Sequence, residues 1–217
     1  MHNNSAILST TYFGPVQWYQ KLYRYGRVLI EQHETFAKQT YRNRCLIAAA
    51  NGVQTLTVPI HHPECADAEN GSLHLVKCIR ISDHGNWRHL HWQALQSAYG
   101  ESPFFEYYED DLRPFFTEHH WEYLIDFNED IRIKMCELLD IHPQISLTKE
   151  YSPANIHHPH AVCSDFREVI TPKHPIDDAE FTARPYYQVY RQKHGFLPNL
   201  SILDLLLNMG PESIFYM

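Results

Sequence analysis

The sequence predicts one α/β domain over residues 1–217, with a mixed central sheet, flanking helices and a β-hairpin at Asn51-Gly52. Short apolar runs typical of strands alternate along the chain with segments of helical periodicity, which is the pattern of α/β and α+β folds. Asn51-Gly52 separates two apolar runs, and both positions accept the positive φ that a type I′ hairpin turn requires. The length fits one ordinary domain, and neither a linker nor a repeat divides the sequence.

The first half of the chain predicts a strand, a loop, a helix, a strand and the hairpin. Apolar runs predict strands over 6–9, 28–31, 45–50 and 53–60. Gly14-Pro15 marks a turn after the first strand. Aromatic and leucine side chains near helical spacing then predict a helix over 16–25.

The second half carries further strands and helices. The spacing of apolar residues predicts strands over 73–81 and 145–151 and helices over 86–99 and 119–139. Residues 152–175 are predicted to be a loop. Ser201 and Asp204 match a capping box at the start of a last helix, which Gly210-Pro211 ends.

The charge of the chain excludes some classes of partner. There are 18 Lys and Arg residues and 26 Asp and Glu residues, so the formal charge is −8 at pH 7 with neutral histidines. An acidic chain without runs of Lys and Arg is a poor match for nucleic acid or an anionic membrane surface. Protonation of the 16 histidines would reverse the sign of this charge, so we expect a surface charge that depends on pH.

The cysteines and the absence of known catalytic motifs further limit the possible locations and enzyme classes of the protein. Five cysteines without a CxxC pair predict reduced thiols and a cytoplasmic location. The first residues lack the features of a signal peptide, and no apolar stretch reaches the roughly 18 residues of a membrane span. GxSxG, Walker and HExxH motifs are absent, so nothing supports a serine hydrolase, a P-loop enzyme or a zinc protease.

The strand, loop and helix over 9–25 form one candidate ligand site. Ligands of open α/β sheets bind where the carboxyl end of a strand turns into a helix, because free N–H groups and the helix dipole attract anions. Thr10, Thr11 and Tyr12 would add hydroxyl groups there. The alternative is a plain turn, since no glycine-rich phosphate motif is present.

His91 is the candidate general base or acid. In the helix predicted over 86–99 it shares one face with Trp87 and Leu95, and Asp83 is near enough in sequence to orient its ring. The alternative is a core histidine whose ring nitrogens are satisfied by structural neighbours.

The loop over 152–175 is a weaker candidate for a metal site. It holds residues of the types that ligate zinc or iron, which are His157, His158, His160, Cys163 and Asp165. Their spacing matches neither HExxH nor a CxxC site. Solvated loop histidines are the alternative.

Four other residues give weaker indications of a functional role. Asn43-Arg44 lies at a predicted strand start, where a guanidinium group can hold a carboxylate or a phosphate. Cys45 is interpreted as a small buried hydrophobe, because no base partner for a nucleophilic thiol is evident. Asp204 is interpreted as part of the helix cap rather than as a catalytic acid.

Several stretches form a recognisable set in their order and spacing. They are 8–15 with Trp18-Tyr19, 41–47 with Asn51-Gly52, 56–59, Trp87 with His91-Trp92 and Tyr99, 102–108, and 199–208 before Gly210-Pro211. This set resembles the WbqC-like family over nearly the whole chain. The chain departs from the pattern at its start, where Thr10-Thr11-Tyr12-Phe13-Gly14 stands in place of the Gln-Pro-Tyr-Phe of many members.

The resemblance implies a role in surface polysaccharides. Members are largely uncharacterised, and some are encoded in O-antigen and surface-polysaccharide gene clusters. Transfer of a glycine residue to a polysaccharide sugar has been suggested for one branch. The implied protein is a transferase that takes a small-molecule or glycan substrate and an activated donor, with aminoacyl-tRNA as the one nucleic acid partner. The family supplies no established catalytic residues to carry over.

Aminoacyl transfer to a sugar hydroxyl needs a base for the hydroxyl and donors for the oxyanion. Ranked by chemistry, the candidates are His91 as base, Asp83 as its orienting acid, Asn43 and Arg44 as substrate or oxyanion contacts, and Thr11, Tyr12 and Phe13 as pocket lining. One alternative is a nucleotide or nucleotide-sugar binding protein of nucleotidyltransferase type that uses 9–25. Another is a non-catalytic metal-binding accessory protein that uses 157–165. The sequence identifies neither a cofactor nor an oligomeric state, and no metal ligand is assigned.

Overall fold

The computed structural model describes residues 5–61, 74–117, 121–153 and 163–217. Within these ranges the strands are β1 (Ser5–Ser9), β2 (Arg27–Glu31), β3 (Arg44–Ala49), β4 (Gly52–Thr57), β5 (Ile60–His61), β6 (Arg80–Ile81), β7 (Gln144–Leu147) and β8 (Cys163–Asp165). The helices are α1 (Val16–Arg24), α2 (Trp87–Tyr99), α3 (Phe105–Leu112), α4 (Pro114–Thr117), α5 (Leu124–Leu138), α6 (Arg191–His194) and α7 (Ile202–Met209).

Parallel strands form the central sheet of the described chain, in the order β7-β2-β1-β8. Antiparallel pairing occurs outside that sheet, between β3 and β4 and between β5 and β6. The α/β class, the flanking helices and the hairpin are therefore confirmed.

The hairpin turn differs in detail from the predicted one. Ala49 pairs with Gly52, so the two loop residues are Ala50 and Asn51. The positive φ falls on Gly52, at +108°, and not on Asn51. Glycine takes this conformation without the steric cost that a Cβ would add. The dipeptide thus marks the hairpin, but through its glycine rather than through a type I′ pair.

The core lies against one face of the central sheet. Ala6 and Leu8 on β1 pair with Val28 and Ile30 on β2, and all four side chains are buried. Their alternation along each strand places them on the same face. The predicted apolar stripe of α5 joins this core, and α7 is buried on all sides, as its leucine-rich sequence requires.

Two segments fold differently from the prediction. The described part of 73–81 contains a 3₁₀ turn over Val76–Cys78 and only the two-residue strand β6, because the Cys78 N–H bonds locally to the Leu75 carbonyl. β8 lies inside the predicted loop 152–175. Its three residues have no strand pattern of their own, and the strand exists because they pair with Ser5 to Ile7 of β1.

The capping box predicted for α7 is half correct. The Ser201 hydroxyl accepts a hydrogen bond from the Leu203 N–H at 3.3 Å, so Ser201 is the N-cap. The Asp204 carboxylate does not complete the box. It points into the core, where it accepts hydrogen bonds from the hydroxyl groups of Tyr99 and Tyr186.

The cysteines also depart from the predicted uniform reduced state. Cys78 takes part in a disulfide, whereas Cys45, Cys136 and Cys163 are free. The cytoplasmic location stays a prediction. Among the residues that the structure describes, no helix has the length and apolar character needed to cross a membrane.

Candidate functional site

The strand order creates a crevice beside β1. The chain runs from β1 to β2 and on to β7 on one side of the sheet, and then returns to place β8 on the other side of β1. In open α/β sheets, ligands bind outside the carboxyl ends of the strands where the strand order reverses in this way. The carboxyl ends of β1 and β8 therefore mark the candidate site.

This crevice is polar and narrow. Ser9, Thr10 and Thr11 line it from the end of β1, Arg42 from the segment before β3, and Arg167 from the turn after β8. The space between them is about 10 Å³, which holds one small polar group such as a water molecule or a hydroxyl. Larger parts of a ligand would lie outside it.

Arg42 is held in a fixed position at the crevice. Its Nε donates to one carboxylate oxygen of Glu34 at 2.9 Å, and its Nη2 lies 2.7 Å from the other oxygen. Nη2 also donates to the Ser9 hydroxyl at 2.9 Å. This two-point contact fixes the plane of a guanidinium group that is only 6% exposed.

Arg167 has a matching arrangement. Its Nε and Nη2 donate to the two carboxylate oxygens of Asp165 at 3.0 and 2.6 Å, and Nη1 donates to the Ser152 carbonyl at 2.8 Å. Burial lowers the pKa of Arg167, but the hydrogen bonds and charge of Asp165 outweigh burial and raise that pKa overall. The guanidinium group therefore stays charged at the crevice.

Glu31 adds a third carboxylate to the group of charged residues formed by Arg42, Glu34, Arg167 and Asp165. It follows the apolar part of β2 and is fully buried. Its carboxylate accepts hydrogen bonds from the Thr148 hydroxyl at 2.8 Å and from the Ser152 N–H at 2.9 Å, and it lies 3.5 Å from Arg167. With Glu34 and Asp165, three carboxylates meet two guanidinium groups, so the described cluster has one negative charge in excess.

Thr11 is the unusual residue of the crevice. Its hydroxyl is buried, and no described residue offers it a hydrogen-bond partner. A Cβ at Gly14 would lie 2.4 Å from this hydroxyl, so only glycine allows the loop to close over Thr11. A buried hydroxyl without a partner costs about 1–3 kcal/mol, and a bound ligand can recover this energy.

The start of α1 does not offer the free N–H groups that the sequence suggested. The Val16 N–H donates to the Leu200 carbonyl at 3.0 Å, and the Gln17 N–H donates to the Asn199 side chain at 2.9 Å. These contacts join α1 to the segment before α7. Side chains of the crevice, rather than the helix start, therefore provide its polar groups.

The structure brings Tyr12 and His91 into contact, and neither residue lines the crevice. His91 Nδ1 lies 2.9 Å from the Tyr12 hydroxyl, and both side chains are buried. Burial lowers the pKa of His91 to about 4, against a smaller raising effect of a hydrogen bond with the Thr57 backbone. The imidazole is therefore neutral at pH 7. Phe13 is also buried and stacks with Phe116.

The other predicted residues lie elsewhere. Asp83 forms an ion pair with Arg88 at the surface. Asn43 and Arg44 line a separate cleft beside the hairpin. Of the seven predicted residues, Thr11 lies in the crevice, and the catalytic roles of His91 and Asp83 stay predictions.

Sequence reasoning missed the arginine–carboxylate pairs. Glu31 is the last residue of an otherwise apolar run, and that position was the signal available for it. Arg42 and Arg167 carried no comparable signal, because their partners become evident only once β8 is placed beside β1. The histidines of the predicted metal loop, His157, His158 and His160, lie outside the described residues. Within those residues, no group of three potential metal ligands is present.

Comparison with known proteins identifies a matching family and a similar uncharacterised protein. The sequence model of the WbqC-like protein family matches residues 10–216. The uncharacterised protein Rv1507c of Mycobacterium tuberculosis is 24% identical over 229 aligned positions, which cover 98% of this chain and 96% of the relative. No solved structure matches the chain. Since the family match spans residues 10–216 of a chain of 217, the chain belongs to the WbqC-like protein family.

Proposed function

We propose that this protein is a group transferase that modifies a sugar of a surface polysaccharide, with aminoacyl transfer to a hydroxyl as the reaction. The crevice formed by Ser9–Thr11, Arg42 and Arg167 is the proposed site. The observation that carries the proposal is the buried Thr11 hydroxyl, which has no hydrogen-bond partner among the described residues and lines the same crevice as two fixed arginines. Membership of the WbqC-like family supports the choice of reaction class.

The groups of the crevice match the needs of this reaction. A sugar hydroxyl attacks the acyl carbonyl of the donor, a base takes the hydroxyl proton, and negative charge grows on the carbonyl oxygen. When the carbonyl re-forms, the bond between the acyl carbon and the donor oxygen breaks, and the base returns the proton to the departing donor hydroxyl. Thr11 orients the hydroxyl, and the guanidinium groups of Arg42 and Arg167 stabilise the developing charge. The proton passes to the carboxylate cluster, which has more carboxylates than guanidinium groups. Glu34 and Asp165 keep the arginines in place.

In this proposal His91 is a positioning residue. Its Nδ1 is occupied by the Tyr12 hydroxyl, and His91 is not among the residues that line the crevice. Tyr12 directly follows Thr11 in the chain, so the bond from Tyr12 to His91 holds the loop that carries Thr11.

Thr11→Val tests the proposal. Valine has nearly the shape of threonine, and the lost hydroxyl has no hydrogen-bond partner in the described part of the chain, so we expect the free energy of unfolding to change by less than about 1 kcal/mol. Transfer should fall about tenfold or more, because one hydrogen bond to the reacting group is lost. Activity is measured by mass spectrometry of a polysaccharide acceptor after incubation with glycyl-tRNA or a chemically activated glycine.

The matched control is Thr55→Val, which makes the same change at an exposed position of the hairpin. Its transfer rate should equal that of the unmodified protein. A Thr11→Val protein that transfers at the full rate would show that the crevice is not the reacting site.

Nucleotide-sugar binding is a second candidate function, because two buried arginines line the crevice and guanidinium groups suit phosphate. One observation favours it less, because the N–H groups of Val16 and Gln17 at the start of α1 are occupied. A thermal-shift series with nucleotides and nucleotide sugars tests it, and the absence of any shift would argue against it. Metal analysis of untagged protein tests the accessory role proposed for 157–165.

A further inference from the structure

We propose that the cleft beside the hairpin binds the acylamido group of an acylamino sugar. This cleft, called the hairpin cleft below, lies between the segment of Asn43 and Arg44 and the chain at Val58 to Ile60. The inference rests on the proposed function in one respect, since it names the class of sugar that would serve as acceptor. Binding itself can be measured without any transfer.

The hairpin cleft is next to the crevice but separate from it. Arg42 lines the crevice, whereas the following residues Asn43 and Arg44 line the hairpin cleft. The cleft has a volume of about 270 Å³, which is far larger than the crevice. A sugar unit bound there would leave the neighbouring crevice free for the reacting group.

The polar groups of the hairpin cleft include an unmatched acceptor. Asn43 is 7% exposed, and its Nδ2 donates to the Val58 carbonyl at 2.9 Å. This bond fixes the side-chain amide. Its Oδ1 has no hydrogen-bond partner among the described residues. An amide oxygen can accept two hydrogen bonds, and the described residues use neither position on Asn43 Oδ1.

An unmatched donor comes from the next residue. The Nε of Arg44 is buried, and no described residue accepts its hydrogen bond. Arg44 begins β3, and its place is fixed by pairing with Thr57 of β4. Asn43 and Arg44 both line the cleft, and these consecutive residues carry one acceptor and one donor that have no partner among the described residues.

A secondary amide has the complementary pair of groups. Its N–H can donate to Asn43 and its carbonyl can accept from Arg44. The alkyl part of the acyl group would contact the apolar wall of Val58, Pro59 and Ile60. A carboxylate or phosphate would satisfy Arg44 but would meet the Asn43 oxygen with a second acceptor. A plain sugar hydroxyl would leave the apolar wall without a contact.

The test is titration calorimetry of the full chain with N-acetylglucosamine as the probe. Glucose and glucosamine lack the acyl group and are the reference ligands, and a blocked glycine amide presents a peptide bond without a sugar. We expect N-acetylglucosamine to bind at least about tenfold more tightly than glucose or glucosamine. Equal binding of the three sugars would overturn the proposal, and preferential binding of the glycine amide would assign the cleft to a peptide instead.

Arg44→Lys is the informative variant, because lysine keeps the positive charge but has no nitrogen at the Nε position. It should weaken binding of N-acetylglucosamine about fivefold or more. Asn43→Leu should have a similar effect, but it also breaks the bond to Val58, so Arg44→Lys decides if that variant does not fold. Arg113→Lys, at an exposed position, is the matched control and should bind normally. Unchanged binding in Arg44→Lys would overturn the proposal.

Thr11→Val separates this inference from the proposed function. It should bind N-acetylglucosamine normally, since Thr11 lies in the crevice and not in the hairpin cleft. If Thr11→Val also transfers at the full rate, the proposed function fails while the hairpin cleft stands. If transfer is lost in Thr11→Val but no acylamino sugar binds, the ligand proposed for the hairpin cleft is wrong and the proposed function stands.

Discussion

Asp204→Ala is expected to lower the free energy of unfolding by about 3–5 kcal/mol. Asp204 is fully buried, and its carboxylate accepts hydrogen bonds from Tyr99 at 2.9 Å, Tyr186 at 2.6 Å and Gln188 at 2.7 Å. Alanine would leave these three buried donors without their acceptor. Relief of the desolvated charge offsets part of this loss but does not replace the hydrogen bonds. Urea unfolding followed by circular dichroism measures the change.

Asp204→Asn is the matched control, since it keeps the shape and one acceptor oxygen while removing the charge. It should be clearly more stable than Asp204→Ala. Tyr186→Phe removes one donor only and should cost about 1 kcal/mol. An Asp204→Ala protein within about 1 kcal/mol of the unmodified protein would mean that the carboxylate does not organise this part of the core.

Asp204 shows which interactions a local sequence pattern can predict and which it cannot. The spacing from Ser201 correctly predicted the start of α7, because capping by Ser201 depends on neighbouring residues. The role of Asp204 depends on Tyr99, which lies 105 positions away in sequence. A local pattern contains no information on such a partner, and the cap interpretation of Asp204 was wrong for that reason.

The crevice likewise combines residues that the local sequence could predict with residues that it could not. The sequence predicted the turn after β1 and the importance of Thr11, because a strand, a polar turn and a helix follow one another there. Arg167 could not be assigned in the same way. Its position at the crevice depends on β8, whose residues Cys163 to Asp165 have no strand pattern and pair with β1 only in the folded chain. Long-range pairing, rather than local propensity, completes the site.

Acidification from pH 7 to pH 5 is expected to lower the free energy of unfolding by about 2 kcal/mol through His91 alone. Burial lowers the pKa of His91 to about 4 in the folded protein, against the ordinary value of 6.5. Between these two values the unfolded chain binds a proton that the folded chain does not, so stability falls as the pH falls. Urea unfolding at several pH values measures the slope.

His91→Asn is the variant that isolates this effect. Asparagine can still accept the Tyr12 hydroxyl bond but does not titrate, so stability should fall less between pH 7 and pH 5 than in the unmodified protein. The comparison between variants matters, because burial raises the pKa of Asp204 and this group favours the folded state as the pH falls. The two groups therefore act in opposite directions in the acid range. Parallel pH profiles of the unmodified protein and His91→Asn would contradict a buried, neutral imidazole and would restore an exposed His91 as a candidate base.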